Sequence, residues 1–474
     1  MLLPLRTKLW VVEIARQFNA RALLESGLAG HALSRFSYIG IEPLGEITAG
    51  WDRSEKVNVT FRSASQVDSV LTDDPINALR ALLGRYHVSP ATYTPSSPPF
   101  HAGAIGCIGY DARHFFAKLP SHTRSATSES TFVHLMLFDE IIIRDEATGE
   151  TWLSVVSRGD RSVPNGSPEE RLNAIQRALD SFAGGGEVDS PTSTSAPPEN
   201  ESPEVRSLYE DNVRRIQDRI AAGDSFEVCL TRRIVRPFEG EAYDLYAALR
   251  RTNPSPFASL LRFDGVSTVF ASPERFVSLD ANRTAETCPI KGTRRRGATH
   301  SEDTALRHDL ATNEKDRAEH TMAVDVARND LGRVCEVASV QVSSFQRIEA
   351  HPAVFQMVSD VRGTLLPGRD ALDLIGATFP GASMTGAPKV QAMKLIDELE
   401  TSPRGFYSGA IGYIDFSGTM DLSMAIRGIV LREGVATIGT GGAIVSDSDP
   451  SDEFDETELK ARAMLAAVSR ASRS

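Results

Sequence analysis

The sequence predicts an α+β fold, in which helices and antiparallel strands occupy separate stretches of the chain. Residues 408–443 contain apolar runs separated by tight turns at Ser417-Gly418 and Glu433-Gly434, the pattern of a three-stranded meander. Helical patterns lie apart from these hairpins, which disfavours a doubly wound parallel sheet. The sequence has no internal repeat at a solenoid period.

The first part of the chain, residues 1–182, is predicted to be rich in strands. Residues 132–144 and 151–157 are short β-rich runs, and a helical pattern follows at residues 168–182. Residues 183–205 are mostly Gly, Ser, Thr, Pro and Glu without apolar periodicity. This composition predicts a flexible linker or a surface loop.

The second part, residues 206–474, carries sharper patterns. Apolar residues at helical or strand spacing predict a helix over residues 210–222, a strand over 225–235, and helices over 315–329 and about 452–469.

Length and composition describe a soluble protein with two or three cores. The 474 residues are 41% hydrophobic and 24% charged, and 51 Lys and Arg against 63 Asp and Glu give a net charge of −12. An acidic balance repels polyanions, so we expect no binding to nucleic acid. The N-terminal apolar stretch is too short and too charged for a signal peptide or a membrane span. Four cysteines far apart fit a reducing compartment, so we predict a cytoplasmic protein without membrane contact.

Lys291 is the first candidate for chemistry. It lies between Ile290 and Gly292, after Pro289, so that rigid backbone can hold it without a bulky neighbour on one side. A neutral lysine amine is a nucleophile, and nearby positive charge or burial favours the neutral form. The alternative is a solvated lysine at the start of the basic run at 294–296.

Acidic residues on two predicted helices form a second candidate group. Asp316 and Glu319 are three residues apart on one helix, where Glu319 is predicted to face inward, and Glu453, Glu456 and Lys460 fall on one face of the C-terminal helix. Two such carboxylate pairs can hold Mg²⁺, which prefers oxygen ligands. The alternative is ordinary pairing of Glu456 with Lys460 and charge at helix ends.

A third group could receive anions. On a strand predicted over residues 421–431, Arg427 lies on the face opposite Leu422 and Met424. The glycine-rich run at 439–443 follows, and its amides could converge on a carboxylate as a backbone nest. A forked guanidinium beside such amides suggests a carboxylate site. Other glycine-rich turns lack the spacings of nucleotide-binding loops, which disfavours nucleotide binding.

Six long motifs lie in order along the second part of the chain. They are SPERF at 272–276, PIKGTRRRG at 289–297, KDRAEHTMAVDVARNDLGRV at 315–334, FPGASMTGAPKVQAM at 379–393, YSGAIGYIDFSGTMDLSMAIR at 407–427 and DETELKARAM at 455–464. In this order they resemble the chorismate-utilising enzymes, which include anthranilate synthase component I, aminodeoxychorismate synthase component I, and the isochorismate and salicylate synthases. The resemblance implies two intertwined subdomains, whose antiparallel sheets and helices form a sandwich around a central chorismate cleft.

The resemblance also implies roles for single residues. Those that match the family's Mg²⁺ site are Glu319, Glu453, Glu456 and, through water, Asp316. Those that match its substrate-binding residues are Arg427, Tyr407, Lys460, Gly441, Gly442, Ser383, Thr293 and Gln356. Glu274 matches the general acid that protonates the departing C4 hydroxyl, so it must be protonated at neutral pH. An apolar or anionic surrounding favours that state.

Two positions favour aminodeoxychorismate synthase component I within the family. Its members typically have PIKGT where anthranilate synthases have PIAGT, and Lys291 would attack C2 of chorismate before ammonia attacks C4. Isochorismate and salicylate synthases place a lysine that activates water where this chain has Glu227. Anthranilate synthases place a catalytic histidine where this chain has Gln356, which cannot shuttle a proton.

The resemblance therefore implies an enzyme of para-aminobenzoate and folate biosynthesis that converts chorismate and ammonia to 4-amino-4-deoxychorismate. The alternatives are anthranilate synthase component I and a chorismate-binding protein without turnover. No Cys-His-Glu glutaminase signature accompanies the motifs, so ammonia would be free or come from a separate glutamine amidotransferase subunit.

Overall fold

The computed structural model describes residues 1–28, 30–31, 33–52, 56–89, 98–116, 131–156, 167–182, 201–351 and 354–472. Most of the predicted linker, residues 183–200, lies outside the described residues. A helix begins at Pro203, so residues 203–205 are helical rather than part of the linker.

The described residues form 23 strands. In the first half of the chain they are β1 (Leu2–Leu5), β2 (Ala22–Glu25), β3 (Phe36–Gly40), β4 (Gly45–Trp51), β5 (Val57–Arg62), β6 (Val67–Thr72), β7 (Gly103–Ile108), β8 (Thr131–Phe138), β9 (Glu140–Asp145), β10 (Thr151–Val155) and β11 (Glu227–Pro237). The others are β12 (Phe257–Phe263), β13 (Val266–Ser272), β14 (Arg275–Leu279), β15 (Thr284–Thr287), β16 (Ile290–Arg295), β17 (Gln341–Ala350), β18 (Val354–Thr364), β19 (Gly386–Ala387), β20 (Ala410–Asp415), β21 (Met420–Met424), β22 (Gly428–Arg432) and β23 (Val435–Ile444).

The same residues form ten α-helices and two short 3₁₀ helices. The α-helices are α1 (Val11–Gln17), α2 (Pro75–Gly84), α3 (Pro168–Ser181), α4 (Pro203–Ala221), α5 (Ala242–Thr252), α6 (His300–Thr312), α7 (Glu314–Gly332), α8 (Ala371–Thr378), α9 (Lys389–Leu399) and α10 (Pro450–Ala471). The 3₁₀ helices are Tyr110–Phe115 and Ala382–Met384. Within the described ranges, no helix combines the length and hydropathy that a membrane span requires.

Two antiparallel sheets pack face to face between layers of helices. One has 11 strands in the order β1-β10-β9-β3-β2-β12-β13-β22-β23-β11-β19; the other has 12, in the order β16-β18-β15-β14-β21-β20-β7-β8-β4-β5-β6 with β17 beside β18. Apolar residues of both sheets, such as Phe138 and Phe270, share one core. A second core joins the outer face of the 11-stranded sheet to α1, α3, α5 and α10, and a third joins the 12-stranded sheet to α2, α7 and α8. The α+β prediction is confirmed.

Each sheet takes strands from both sides of residues 183–205. In the 11-stranded sheet β2 pairs with β12, and in the 12-stranded sheet β7 pairs with β20. The two parts of the chain are therefore interleaved in space.

The predicted three-stranded meander is wrong in one respect. Residues 408–443 form four strands, because the run predicted as one strand over 421–431 breaks at residues 425–427. β21 belongs to the 12-stranded sheet and β22 to the 11-stranded sheet, and Arg427 has a φ of +54° where the chain crosses between them. The run at 132–144 breaks in the same way at Asp139, between β8 and β9.

Candidate active site

Lys291 and Glu227 form a buried ion pair at the centre of the site. Lys291, on β16, places its Nζ 2.6 Å from Oε1 of Glu227, the first residue of β11. The side chains are only 10% and 4% exposed. Burial acts to lower the pKa of Lys291, but Glu227 outweighs it and holds that pKa well above its usual value. Lys291 is therefore protonated in this arrangement, and the expectation of a lowered pKa is wrong.

The basic run beside Lys291 does not supply the expected repulsion, because each arginine has its own carboxylate. Arg294 binds Asp309 and Asp316, with both N···O distances 2.6 Å. Arg295 and Arg296 pair with carboxylates of α6 at 2.5 and 2.7 Å. Their positive charges are thus compensated before they can act on the amine.

Glu274 lies on the short segment between β13 and β14 and is 7% exposed. Burial raises the pKa of Glu274 to about 7, while Ser383, Lys291 and the Ile290 amide oppose the rise. A substantial fraction of this carboxyl is therefore protonated at neutral pH. That is the state a general acid requires.

Three further carboxylates surround Lys291 and Lys315. Burial raises the pKa of Glu319 to about 7, and it also raises that of Glu453, whose Oε1 accepts a 2.7 Å hydrogen bond from Ser448. The Glu456 side chain is about half exposed. Partial desolvation of its carboxyl acts to raise the pKa of Glu456, but Lys460, 2.5 Å away, holds that pKa below its usual value. Lys315 acts electrostatically on all three.

These carboxylates have the donor chemistry of a Mg²⁺ site. Glu319 and Glu453 resist ionisation because the nearby lysines do not fully offset their burial, and a divalent cation would do so. Among the described residues, two other clusters bring three ligand atoms within 4.8 Å of one another, and neither contains these glutamates. Asp316 is engaged by Arg294. The oxygens of Glu319, Glu453 and Glu456 would have to approach one another around an ion.

Arg427 is a cation without a carboxylate partner. Within the described ranges its guanidinium forms no ion pair, and its hydrogen bond goes to the Lys460 carbonyl at 3.5 Å. Burial lowers its pKa, while Tyr407 and Glu456 oppose the change. An incoming carboxylate could therefore occupy the guanidinium fork.

The glycine-rich strand contributes differently from the predicted nest. Residues 439–443 have no positive φ and continue β23 in pairing with β11. The Gly441 carbonyl accepts a 2.8 Å hydrogen bond from Lys460 Nζ, so the Gly441 amide points to the same edge, away from β11. Gly442 pairs with Leu230, and a Cβ there would lie 2.8 Å from Oε2 of Glu453. Gly442 thus makes room for a carboxylate instead of presenting an amide.

The remaining candidates lie on several elements, and among them Thr293 is exposed. Tyr407 is buried, and its ring covers Gly439 so closely that a Cβ there would lie 2.1 Å from a ring carbon. Ser383 lies beside Glu274. Thr293 and Gln356 pair directly across β16 and β18, and Gln356 is 8% exposed.

Sequence reasoning missed His320 and the pairing role of Glu227. His320 is fully buried on α7, and its Nε2 lies 2.6 Å from the Ser359 hydroxyl. Burial and Lys291 lower the pKa of His320 to about 4, so it stays neutral beside the amine. Its position next to Glu319 in the helix pattern was the signal that could have identified it.

This fold and this arrangement of side chains define a chorismate-utilising enzyme with an anthranilate synthase component I-like fold. The sequence profile of the family described as chorismate binding enzyme matches residues 23–466. The chain belongs to that family.

Named relatives fall into two groups. The chain is 38% identical over 465 residues to anthranilate synthase component 1 of Streptomyces coelicolor, covering 96% of this chain and 84% of that protein. It is 38% identical over 466 residues to aminodeoxychorismate synthase of Streptomyces pristinaespiralis, covering 95% of this chain but only 62% of that protein. A crystal structure of anthranilate synthase component I from Streptococcus pneumoniae matches with a TM-score of 0.72 and 31% identity, covering 92% of this chain and 93% of that one.

Proposed function

We propose that this chain is the chorismate-aminating component of an aminodeoxychorismate synthase. The observation that carries the proposal is Lys291, a buried amine with a proton acceptor, Glu227, 2.6 Å away. Glu274 interacts electrostatically with Lys291, and a substantial fraction of its carboxyl is protonated near neutral pH. A nucleophile, its base and an acid for the leaving group are thus supplied by three side chains.

Binding of chorismate would use Arg427, Lys460 and the Gly441 amide. Arg427 offers two parallel N–H donors to one substrate carboxylate, and Lys460 with the Gly441 amide lies beside it. Glu319, Glu453 and Glu456 would hold Mg²⁺, which would draw electron density from the ring carboxylate as the C4 hydroxyl departs.

Lys291 would first pass a proton to Glu227 and then form a bond from Nζ to C2. The C1=C2 and C5=C6 double bonds shift to C1=C6 and C4=C5, the C4–O bond breaks, and Glu274 gives its proton to the departing hydroxyl, which leaves as water. Transfer of the proton neutralises both members of a buried pair, so the low polarity of the site favours it more than water would.

Ammonia would then attack C4 and expel the Lys291 amine from C2 as both double bonds shift back to C5=C6 and C1=C2. The carboxylate of Glu274 takes one proton from the new C4 ammonium group, and Glu227 returns its proton to Nζ. The balance is chorismate and ammonia to 4-amino-4-deoxychorismate and water, with every side chain restored.

The source of the ammonia is part of the proposal. A separate glutamine amidotransferase subunit would deliver it, or free ammonia would serve at high pH. The described cysteines are all free and buried, in keeping with the cytoplasmic location that we propose.

Anthranilate synthase component I is the second candidate, because relatives of that name match at similar identity. That reaction needs a proton shuttle to release pyruvate and form an aromatic product. Gln356 is an amide without an ionisable proton, so we favour the amination without elimination.

The product decides between the two. The chain is incubated with chorismate, MgCl₂ and ammonium chloride at high pH, and the product is identified by mass and absorbance. We expect 4-amino-4-deoxychorismate; anthranilate with free pyruvate would reject the proposal, and unconsumed chorismate would indicate a binding protein.

The covalent step has its own test. Without ammonia, the Lys291 peptide should gain the mass of chorismate less one water. Lys389 is a matched internal control, because it is also buried and paired with a carboxylate, Asp330, at 2.5 Å. Lys291→Ala should remove the adduct and slow amination at C4. Undiminished output from that variant, with no adduct in the parent, would refute the covalent route.

A further inference from the structure

Two histidines and a glutamate meet outside the candidate active site. His31 lies in the segment between β2 and β3, whereas Glu349 and His351 lie at the end of β17. Nε2 of His31 is 3.2 Å from Oε2 of Glu349, and Nε2 of His351 is 3.5 Å from the same oxygen. The two imidazole rings are stacked, with centroids 5.2 Å apart.

The ligand atoms have the separations of a tetrahedral metal site. All three lie within 4.8 Å of one another. Zinc binds imidazole nitrogen and carboxylate oxygen at about 2.0–2.2 Å, so two ligands of a tetrahedral ion are about 3.3 Å apart. The two distances to Glu349 bracket that value. An ion could therefore enter with small side-chain movements.

His351 supplies an independent sign of a missing ligand. Its side chain is 8% exposed, and its Nε2 is buried and makes no hydrogen bond within the described structure. Its 3.5 Å contact with Glu349 Oε2 is too long for a hydrogen bond of ordinary strength. A buried ring nitrogen held so weakly costs free energy, and a metal ion would satisfy it. His31 is 12% exposed and Glu349 21%, so a water molecule has access to a fourth position.

The surroundings hold Glu349 in place for this role. Arg347 binds the other oxygen, Oε1, through Nε at 3.0 Å and Nη2 at 2.8 Å. A ligating carboxylate is commonly fixed by such an outer hydrogen bond, which leaves its second oxygen for the ion. Arg347 therefore holds Oε1, and Oε2, which faces both histidines, is left for the ion.

His31 shows what metal binding would displace. Its Nδ1 accepts a 3.2 Å hydrogen bond from the Leu33 amide, so the proton of the neutral ring lies on Nε2. Binding through Nε2 would move that proton to Nδ1 or release it, and would replace the local hydrogen bond. Metal ions commonly displace protons from their ligands in this way.

We propose that His31, Glu349 and His351 bind a divalent transition metal ion of the zinc type, with water as the fourth ligand. Two imidazoles and one carboxylate suit zinc, whereas Mg²⁺ prefers oxygen ligands alone. The site is independent of the proposed amination. It would join the segment before β3 to the β17–β18 hairpin and so add a link between the two interleaved parts of the chain.

Zinc binding by the full chain tests the proposal. Metal-depleted protein is dialysed against Zn²⁺ with excess Mg²⁺, and bound zinc is measured by elemental analysis. We expect one tightly bound equivalent in the parent, lost in Glu349→Gln and in His31→Ala. His308→Ala, which removes an exposed histidine, is the matched control and should keep it.

Two further measurements cover loss of folding and adventitious binding. Co²⁺ in place of Zn²⁺ should give the visible absorption of tetrahedral coordination, and this absorption should be absent from both ligand variants. Zn²⁺ should raise the melting temperature of the parent but not of His31→Ala, whose circular dichroism should match that of the parent. Equal zinc binding by parent and both ligand variants, or none by the parent, would overturn the proposal.

Discussion

Replacing Glu227 by Gln removes the proton acceptor of Lys291 while keeping nearly the same volume. In the parent the proton moves within the pair. With saturating Mg²⁺ to keep Glu319 and Glu453 ionised, formation of the adduct without ammonia therefore depends on pH through Glu274. Its rate should be level below pH 7 and fall about tenfold per pH unit above, as Glu274 loses the proton that it must donate.

The variant should show the opposite slope below pH 7. Without Glu227, burial is the largest influence left on Lys291, and we expect it to outweigh the weaker opposing charge of Glu319 and to bring the pKa below the usual 10.5. Lys291 must then lose its proton to solvent, so the rate should rise about tenfold per pH unit up to pH 7 and be level above it. Peptide mass spectrometry of quenched samples from pH 5.5 to 9 gives both profiles.

The stability of the parent and that of Glu227→Gln should change with pH in opposite directions. In the parent the folded pKa of Lys291 is raised, so the pair stabilises the fold fully below pH 10.5, and this contribution is lost as pH rises further. In Glu227→Gln the folded pKa is lowered, so the variant should gain stability as pH rises from 7 to 10. Removing one partner of a buried pair costs about 3–5 kcal/mol, which sets the expected loss at pH 7.

The exposed Glu239, just beyond the end of β11, provides the control Glu239→Gln. Stability is measured by urea unfolding at each pH. Glu239→Gln should match the parent in the pH profile of adduct formation and in the urea concentration at the unfolding midpoint. If Glu227→Gln also keeps the parent's slope below pH 7, Glu227 is not the acceptor of the Lys291 proton.

Three further substitutions test other parts of the site. Glu274→Gln should lower the adduct rate by about 10²–10⁴-fold and abolish its fall above pH 7, whereas a retained fall would assign that ionisation to another group. Arg427→Lys keeps the charge but loses the fork, so kcat/KM for chorismate should fall by about 10–10²-fold; an unchanged value would place Arg427 outside the pocket. Gly442→Ala should displace Glu453 and raise the Mg²⁺ concentration for half-maximal activity, with thermal unfolding as the check on folding. EDTA should abolish turnover of the parent, and full activity in EDTA would reject the Mg²⁺ assignment.

The sequence predicted elements whose pattern is local. The helix expected over 315–329 is α7, and that expected over 168–182 is α3, each within three residues at either end. These helices bury residues at helical spacing and have clear capping residues, Asn313 and Ser167.

The positions of Arg427 and Asp139 could not be predicted in this way. In both runs the apolar alternation continues while the chain leaves one sheet and enters the other. Alternation reports which residues are buried, and both sheets bury apolar residues in a shared core. Sheet membership depends on partners far away in sequence, which a single run does not reveal.

The state of Lys291 was missed for a similar reason. The sequence shows the arginines that follow it, but not that α6 and α7 neutralise them, nor that Glu227 from β11 reaches the amine. A pKa is set by neighbours in space. The sequence was enough to select Lys291 as the candidate nucleophile, but its protonation state could be inferred only from the structure.

The interleaving of the two parts of the chain also sets the order in which the protein can be built. β2 must wait for β12 before one of its edges is covered, and β7 must wait for β20, which lies far downstream in the chain. Closing such long loops is slow, and uncovered strand edges can pair with other chains. A nascent chain of this protein is therefore exposed to aggregation until β20 has left the ribosome, and its yield in cells should depend on chaperones that shield strand edges during that interval.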